Sequence, residues 1–312
     1  MTREGKIVSE QNASSSRLRF LVLLLGALGA LLMLAPGAAL GARAKASAGL
    51  PESERVFYGP KIVQRAEVYP SARPGSPIVI LVHGGGWRKQ TGLYYLKKEA
   101  LSLQSHGFTV YNINYRQDMY LPAFPTEPDD VALATRYAIA HAAAYNGDPA
   151  RVSYVAGSAG ANIAALAAEK LDEAAPGTVR AVVSLSGPMN FETLIAMVKD
   201  GTITNENFIV SIFAAMGGEE ADAFEPAAWN AIPAATQREG SPALNIPKRG
   251  CPSWLLFSSE VDLVPLSQSQ EMDSELTAAR CKSTLQVVPG SAHAFAYWNQ
   301  VADTVAGFIA GA

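Results

Sequence analysis

Past residue 50 the chain alternates between two hydrophobic rhythms. Short apolar runs of strand length occupy residues 78–82, 108–114, 151–156, 179–184, 253–257 and 284–288. Between them lie longer stretches at 93–106, 129–145, 159–171, 265–278 and 294–310, with apolar positions recurring every three to four residues as on one face of a helix. Strands that are apolar at nearly every position must be buried on both faces. Their alternation with helices of ten or more residues predicts an α/β fold, a mostly parallel central sheet covered by helices on both faces. Residues 56–69 read as irregular or antiparallel opening strands. One stretch breaks the rhythm. From Gly187 to Cys251 no core strand is visible, only two helical periods at 191–199 and 207–216 and then a Pro-rich run to Pro247. An insertion at 188–250 is either a lid over a site or a pair of packing helices.

The N-terminus follows neither rhythm. Residues 1–19 are polar and end in Arg17 and Arg19, and residues 20–35 carry no charge at all. Pro36 and Gly37 break the apolar run, and a small-residue region with A-x-A sites such as Ala42-Arg43-Ala44 follows. Positive flank, short apolar core and small-residue exit make residues 1–48 a secretory signal peptide. The alternative is an uncleaved membrane anchor, for which the apolar run is slightly short of the ~20 residues that span a bilayer. The chain is therefore expected to be exported, periplasmic or secreted, with residues 50–312 as the folded domain. Any membrane association would come only through an uncleaved N-terminal segment.

Composition narrows the function. The 312 residues are 49% hydrophobic and 17% charged, an ordinary globular balance, with formal net charge −3 and pI near 5.9. No basic stripe is present to neutralise phosphates, so nucleic acid is not an expected partner. No metal-ligand cluster occurs. The two cysteines, Cys251 and Cys281, are too far apart for a zinc pattern. Each precedes a predicted strand, which leaves two readings: a disulfide across adjacent strand starts, or two separate buried thiols.

Candidate chemistry gathers after the strands. Ser158 sits between the strand at 151–156 and the helix at 159–171, flanked by Ala156, Gly157, Ala159 and Gly160. A sharp strand-to-helix turn lifts a serine Oγ clear of the sheet and needs small neighbours. In G-x-S-x-G form the first glycine is here Ala156. His83-Gly84-Gly85-Gly86-Trp87 follows the strand at 78–82, and its glycines free backbone N–H groups to face a ligand. The base follows by elimination among four histidines. His83 braces the glycine loop, His106 ends a helix, and His141 lies on an alanine-rich helix. His293 follows the last strand, on the same C-terminal edge of the sheet as Ser158. The acid comes from the loop after the strand at 253–257, which holds Glu260 and Asp262; Asp262 is favoured and Glu260 stays open. Serine, acid and histidine then occur in the order expected of one particular fold. Trp87, Phe191 and Trp298 are candidates to line a pocket or to be plain core. Met189 and Asn190 are candidates to face the site.

These residues resemble the α/β-hydrolase superfamily, and within it the acetyl-esterase and carboxylesterase branch near the hormone-sensitive-lipase-like enzymes. The likeness rests on the HGGGW loop, Asn114-Tyr115-Arg116, Pro125 with Asp129-Asp130-Val131, the run from Asn146 to Val152, and Ser158-Ala159-Gly160-Ala161-Asn162. It implies cleavage of short-chain carboxylic esters without a cofactor, with Gly85, Gly86 and Ala159 forming an oxyanion hole and a small-molecule ester as partner. Two departures stand out. Ala156 replaces the first elbow glycine. Asp262 stands three positions before Pro265, where family members have four. The large N-terminal cap of the lipase-like branch is not expected, since few residues separate the signal from the first strands. An amide hydrolase of arylformamidase type is one alternative function, since the same triad serves both. A non-catalytic binding scaffold is another.

Overall fold

The computed structural model describes residues 49–88, 96–117 and 122–312. The predicted signal or anchor at 1–48 and the start of the helix expected from residue 93 lie outside them. The described residues belong to one compact unit, Ala48–Ala312. Among them no helix is long and apolar enough to cross a membrane.

The opening region resolves into β1 (Glu54–Phe57) and β2 (Arg65–Tyr69), paired antiparallel. Then come β3 (Ser76–Val82), α1 (Lys97–Ser105), β4 (Thr109–Ile113) and α2 (Thr126–Ala140). The strand β5 (Gly147–Gly157) leads into α3 (Ala159–Ala174), followed by β6 (Ala181–Leu185). The insertion supplies four helices, α4 (Phe191–Lys199), α5 (Glu206–Ala215), α6 (Pro226–Ala231) and α7 (Ala234–Glu239). The chain closes with β7 (Ser253–Ser259), α8 (Leu266–Ala278), β8 (Ser283–Val288) and α9 (Trp298–Ala310). The eight strands form one sheet in the order β1-β2-β4-β3-β5-β6-β7-β8. The pairs from β4 to β8 are all parallel, and β2 meets β4 antiparallel.

Two expectations shift. The helix expected at 129–145 begins three residues earlier, at Thr126, because Pro125 precedes the helix and Pro128 falls in its first turn, where no N–H is required. It stops at Ala140, and Ala142–Tyr145 is a separate 3-10 turn. The closing helix likewise splits into a 3-10 turn, Ala294–Tyr297, and α9.

The apolar strands divide their side chains between two cores. In β3, Ile78, Ile80 and Val82 face the layer that includes α2, α3 and α8, while Val79 and Leu81 face the layer of α1 and α9. Burial on both faces explains why no polar position interrupts the run. Register then aligns the C-terminal ends: Val82 pairs Ala156, Gly157 pairs Leu185, Leu185 pairs Phe257 and Ser259 pairs Val288. The loops after β3, β5, β6, β7 and β8 therefore leave the sheet along one edge, where open α/β sheets bind ligands.

Candidate active site

The turn after β5 holds Ser158 at φ 56° and ψ −133°. A non-glycine residue in this region costs about 1–3 kcal/mol and persists only where its surroundings impose it. Here the Ser158 N–H donates to the Leu185 carbonyl at 2.8 Å, and α3 starts at the next residue. Close packing beneath the turn requires Gly160: a Cβ there would stand 2.2 Å from the His83 carbonyl oxygen. The glycine loop is thus pressed directly onto the start of α3. Within that loop Gly86 has φ 60°, and a Cβ on it would meet Ser211 Oγ of α5 at 2.6 Å.

His83 holds the loop from behind. Its ring is buried, with Nδ1 2.6 Å from the Gly84 carbonyl oxygen and Nε2 3.1 Å from Asn114 Oδ1. It stacks on Tyr115 at 4.5 Å, and Tyr115 donates its hydroxyl hydrogen to the His83 carbonyl at 2.8 Å. Burial lowers the His83 pKa, against the hydrogen bonds to Gly84 and Asn114. Trp87 Nε1 donates to Asn162 Oδ1 at 3.2 Å, and the Asn162 amide donates to the carbonyls of Pro188 and Gly240. One buried asparagine on α3 ties the glycine loop to the insertion.

His293 enters from the loop after β8. Its Nδ1 lies 2.6 Å from Asp262 Oδ1, and the Asp262 side chain has no solvent exposure. Burial opposes the Asp262 charge. Hydrogen bonds from His293 and Ser186, the nearby His293 charge and the Ser259 N–H outweigh it and hold the carboxyl below the usual range. Glu260 is exposed and accepts instead from the Gly290 N–H at 2.9 Å, on the outer side of the loop. The structure therefore brings Asp262, and not Glu260, to the imidazole.

Ser158, His293 and residues 84–87 line one cavity of about 370 Å³. Its opposite wall comes from the insertion: Asn205, Asn207, Phe208 and Ser211 at and within α5. Leu263 and Phe295 complete the apolar side. A polarisable hydroxyl, a base oriented by a buried carboxylate, and a helix N-terminus beside a glycine loop together suit attack on a carbonyl carbon and stabilisation of the anion that forms. Among the described residues, no group of three or more His, Cys, Asp or Glu could hold a metal ion.

Residues 68–276 match the model of the BD-FAE family. The chain belongs to the BD-FAE family. Its fold is that of the α/β-hydrolases. Among solved structures, this BD-FAE chain is similar to a carbohydrate esterase from gut microbiota, with TM-score 0.64, 20% identity, and 84% of this chain and 96% of that one covered. A thermophilic carboxylesterase from a metagenomic library superposes with TM-score 0.65 at 21% identity, covering 84% and 89% of the two chains. Among curated proteins, the carboxylesterase NlhH of Mycobacterium tuberculosis is 33% identical over 103 residues. That stretch is 32% of this chain and 31% of NlhH.

Several candidates in the BD-FAE chain lie away from the cavity. Phe191 and Trp298 are buried in the two cores and do not line it, whereas Trp87 does. Asn190 caps α4 through its side chain, and the Met189 and Asn190 N–H groups donate to Gln268. His106 follows α1 and is bonded to Ser102 and Asp303, and His141 is exposed and stacks on Tyr137. One residue was invisible in the sequence. Ser186, at the end of β6 with φ 54°, donates to Asp262 Oδ2 at 2.5 Å and accepts from the Ala294 N–H at 3.1 Å. The Tyr297 hydroxyl completes its shell at 2.8 Å. A lone serine after a strand carries no sequence signal; only the meeting of three loops reveals it. Cys251 and Cys281 form a disulfide with Cα atoms 5.7 Å apart.

Proposed function

We propose that this BD-FAE protein is a serine carboxylic-ester hydrolase that cleaves short-chain acyl esters through an acyl-enzyme. The observation that carries the reading is the shared cavity of Ser158 and His293, with the imidazole held by an Asp262 carboxylate that solvent does not reach. In this reading His293 Nε2 takes the proton of Ser158 as Oγ attacks the ester carbonyl. Asp262 keeps Nδ1 protonated and stabilises the imidazolium that forms. The backbone N–H groups of Gly85, Gly86 and Ala159 receive the oxyanion. Ala159 opens α3, so its N–H has no partner within the helix and the helix dipole adds to it. His293 then protonates the leaving alcohol, and water attacks the acyl-enzyme by the same route in reverse roles. The carboxylesterase name of the NlhH relative and the esterase names of the structural neighbours support ester chemistry. The small cavity, walled by Phe208 and Ser211, favours a short acyl chain. Residues 1–48 direct export, and the insertion at 188–250 works as one wall of the site.

Fluorophosphonate labelling tests the reading. The probe should attach to Ser158, found by mass spectrometry of the labelled peptide, and attachment should vanish in Ser158→Ala. An unlabelled native protein would leave a binding scaffold.

A further inference from the structure

Residues 49–312 carry 19 Lys and Arg against 26 Asp and Glu, so the folded part of the chain is acidic. Against that background, five of those cations line one groove. Arg180, Lys248, Arg249, Arg280 and Lys282 border a concavity of about 670 Å³, and no acidic side chain lines it. All five residues are exposed. None of them takes part in an ion pair among the described residues. Lys248 and Arg249 also border a neighbouring concavity that Glu169 and Glu173 line, while Asp172 accepts from the Val179 N–H at 3.0 Å. Ala312 also borders the groove.

The groove lies at the opposite edge of the sheet from Ser158. Arg180 immediately precedes β6, the segment with Lys248 and Arg249 precedes β7, and Lys282 immediately precedes β8. A strand length of about 15–20 Å therefore separates it from the Ser158 cavity. The three strands are neighbours in the order β6-β7-β8, so their starts step across the groove at roughly 4.8 Å intervals. The disulfide Cys251–Cys281 joins two of the three segments and fixes their relative position.

We propose that this groove binds an extended polyanion, an acidic polysaccharide carrying one carboxylate per sugar unit. Cations drawn from three neighbouring strand starts suit negative charges spaced along a chain. Double-stranded nucleic acid carries one charge per about 1.7 Å and asks for a denser basic surface. The concave shape suits a strand of polymer more than a flat lipid surface. The proposal does not depend on the esterase reading.

Affinity electrophoresis of the full chain in gels containing polygalacturonate provides the test, beside dextran, polyphosphate and phosphatidylserine vesicles. Polygalacturonate should retard the protein and dextran should not. Raising salt from 50 to 200 mM should weaken retention about tenfold, as expected when several ion contacts are lost. The triple variant Arg180→Gln, Arg249→Gln, Lys282→Gln should lose at least about tenfold in affinity while melting at the native temperature and keeping p-nitrophenyl acetate turnover. If that variant folds and binds as tightly as the native chain, the proposal is overturned. Binding confined to polyphosphate or to vesicles overturns it too, as does no binding at all. Absence of ester turnover in both proteins would count against the esterase alone.

Discussion

Asp262 Oδ1 lies 2.6 Å from His293 Nδ1, on a carboxylate that solvent does not reach. Five donors surround that carboxylate: His293, the Ser186 and Ser259 hydroxyls, and the N–H groups of Ser259 and Val264. A buried charge so fully satisfied is held in one orientation, and with it the imidazole. Replacing Asp262 by Asn should keep the fold but lower kcat by about 10³–10⁴, because an amide no longer selects the tautomer with Nδ1 protonated. Steady-state hydrolysis of p-nitrophenyl acetate measures this.

The same carboxylate links stability to pH. Its pKa in the folded chain is held below the ordinary value, against burial, by His293 and Ser186. A group with a depressed folded pKa contributes stability above its unfolded pKa, near 3.9. That contribution is lost as pH falls through the folded value. The difference in melting temperature between the native chain and Asp262→Asn should be full above about pH 5 and should narrow below about pH 4. A constant difference from pH 7 to pH 3 would contradict it.

Ser186 should act as a positioning residue. Ser186→Ala removes one hydrogen bond to a charged group and leaves the Ala294 N–H short of its acceptor. The expected loss in kcat is about tenfold, the equivalent of roughly 1.4 kcal/mol. KM should change little, and the pH profile of kcat should move with the altered Asp262–His293 pair. Ser186→Thr, which keeps the hydroxyl, should recover part of the rate. Loss of stability alone, with the profile in place, would mark a purely structural serine.

Two glycines should answer alanine in opposite ways. At Gly160 a Cβ would stand 2.2 Å from the His83 carbonyl oxygen, a backbone atom that cannot swing aside. Gly160→Ala should cost about 3 kcal/mol or more, or displace the glycine loop. Gly307 in α9 has nothing within 4 Å of that position, and Gly307→Ala should stabilise by about 0.5–1 kcal/mol through helix propensity. Thermal unfolding of both variants decides.

The disulfide between Cys251 and Cys281 closes a separation of 30 residues. Removing it with the double variant Cys251→Ala, Cys281→Ala should cost about 3–4 kcal/mol on the chain-entropy account. Because it sits at the edge of the sheet away from Ser158, turnover at 25 °C should be unchanged while the melting temperature falls.

The fold was readable because burial on both faces makes a strand apolar at nearly every position, as Ile78–Val82 within β3 shows. Parallel topology then sends Ser158, Asp262 and His293 to one edge, so their order along the chain carried spatial information. Three features did not show. The choice between Asp262 and Glu260 depends on which side of one short loop each carboxylate faces. Ser186 draws its role from contacts 76 and 108 residues away in sequence. The cationic groove likewise gathers side chains from three separate strand starts, so an acidic net charge concealed it. Periodicity reports burial, not which distant loops will touch.

Hydrolysis of p-nitrophenyl acetate, butyrate and octanoate by the native chain, beside Ser158→Ala, tests the central claim most directly. The account predicts turnover with acetate and butyrate, little with octanoate, and none above background in the variant. Turnover that survives in Ser158→Ala, or no turnover on any of the three esters, would contradict it.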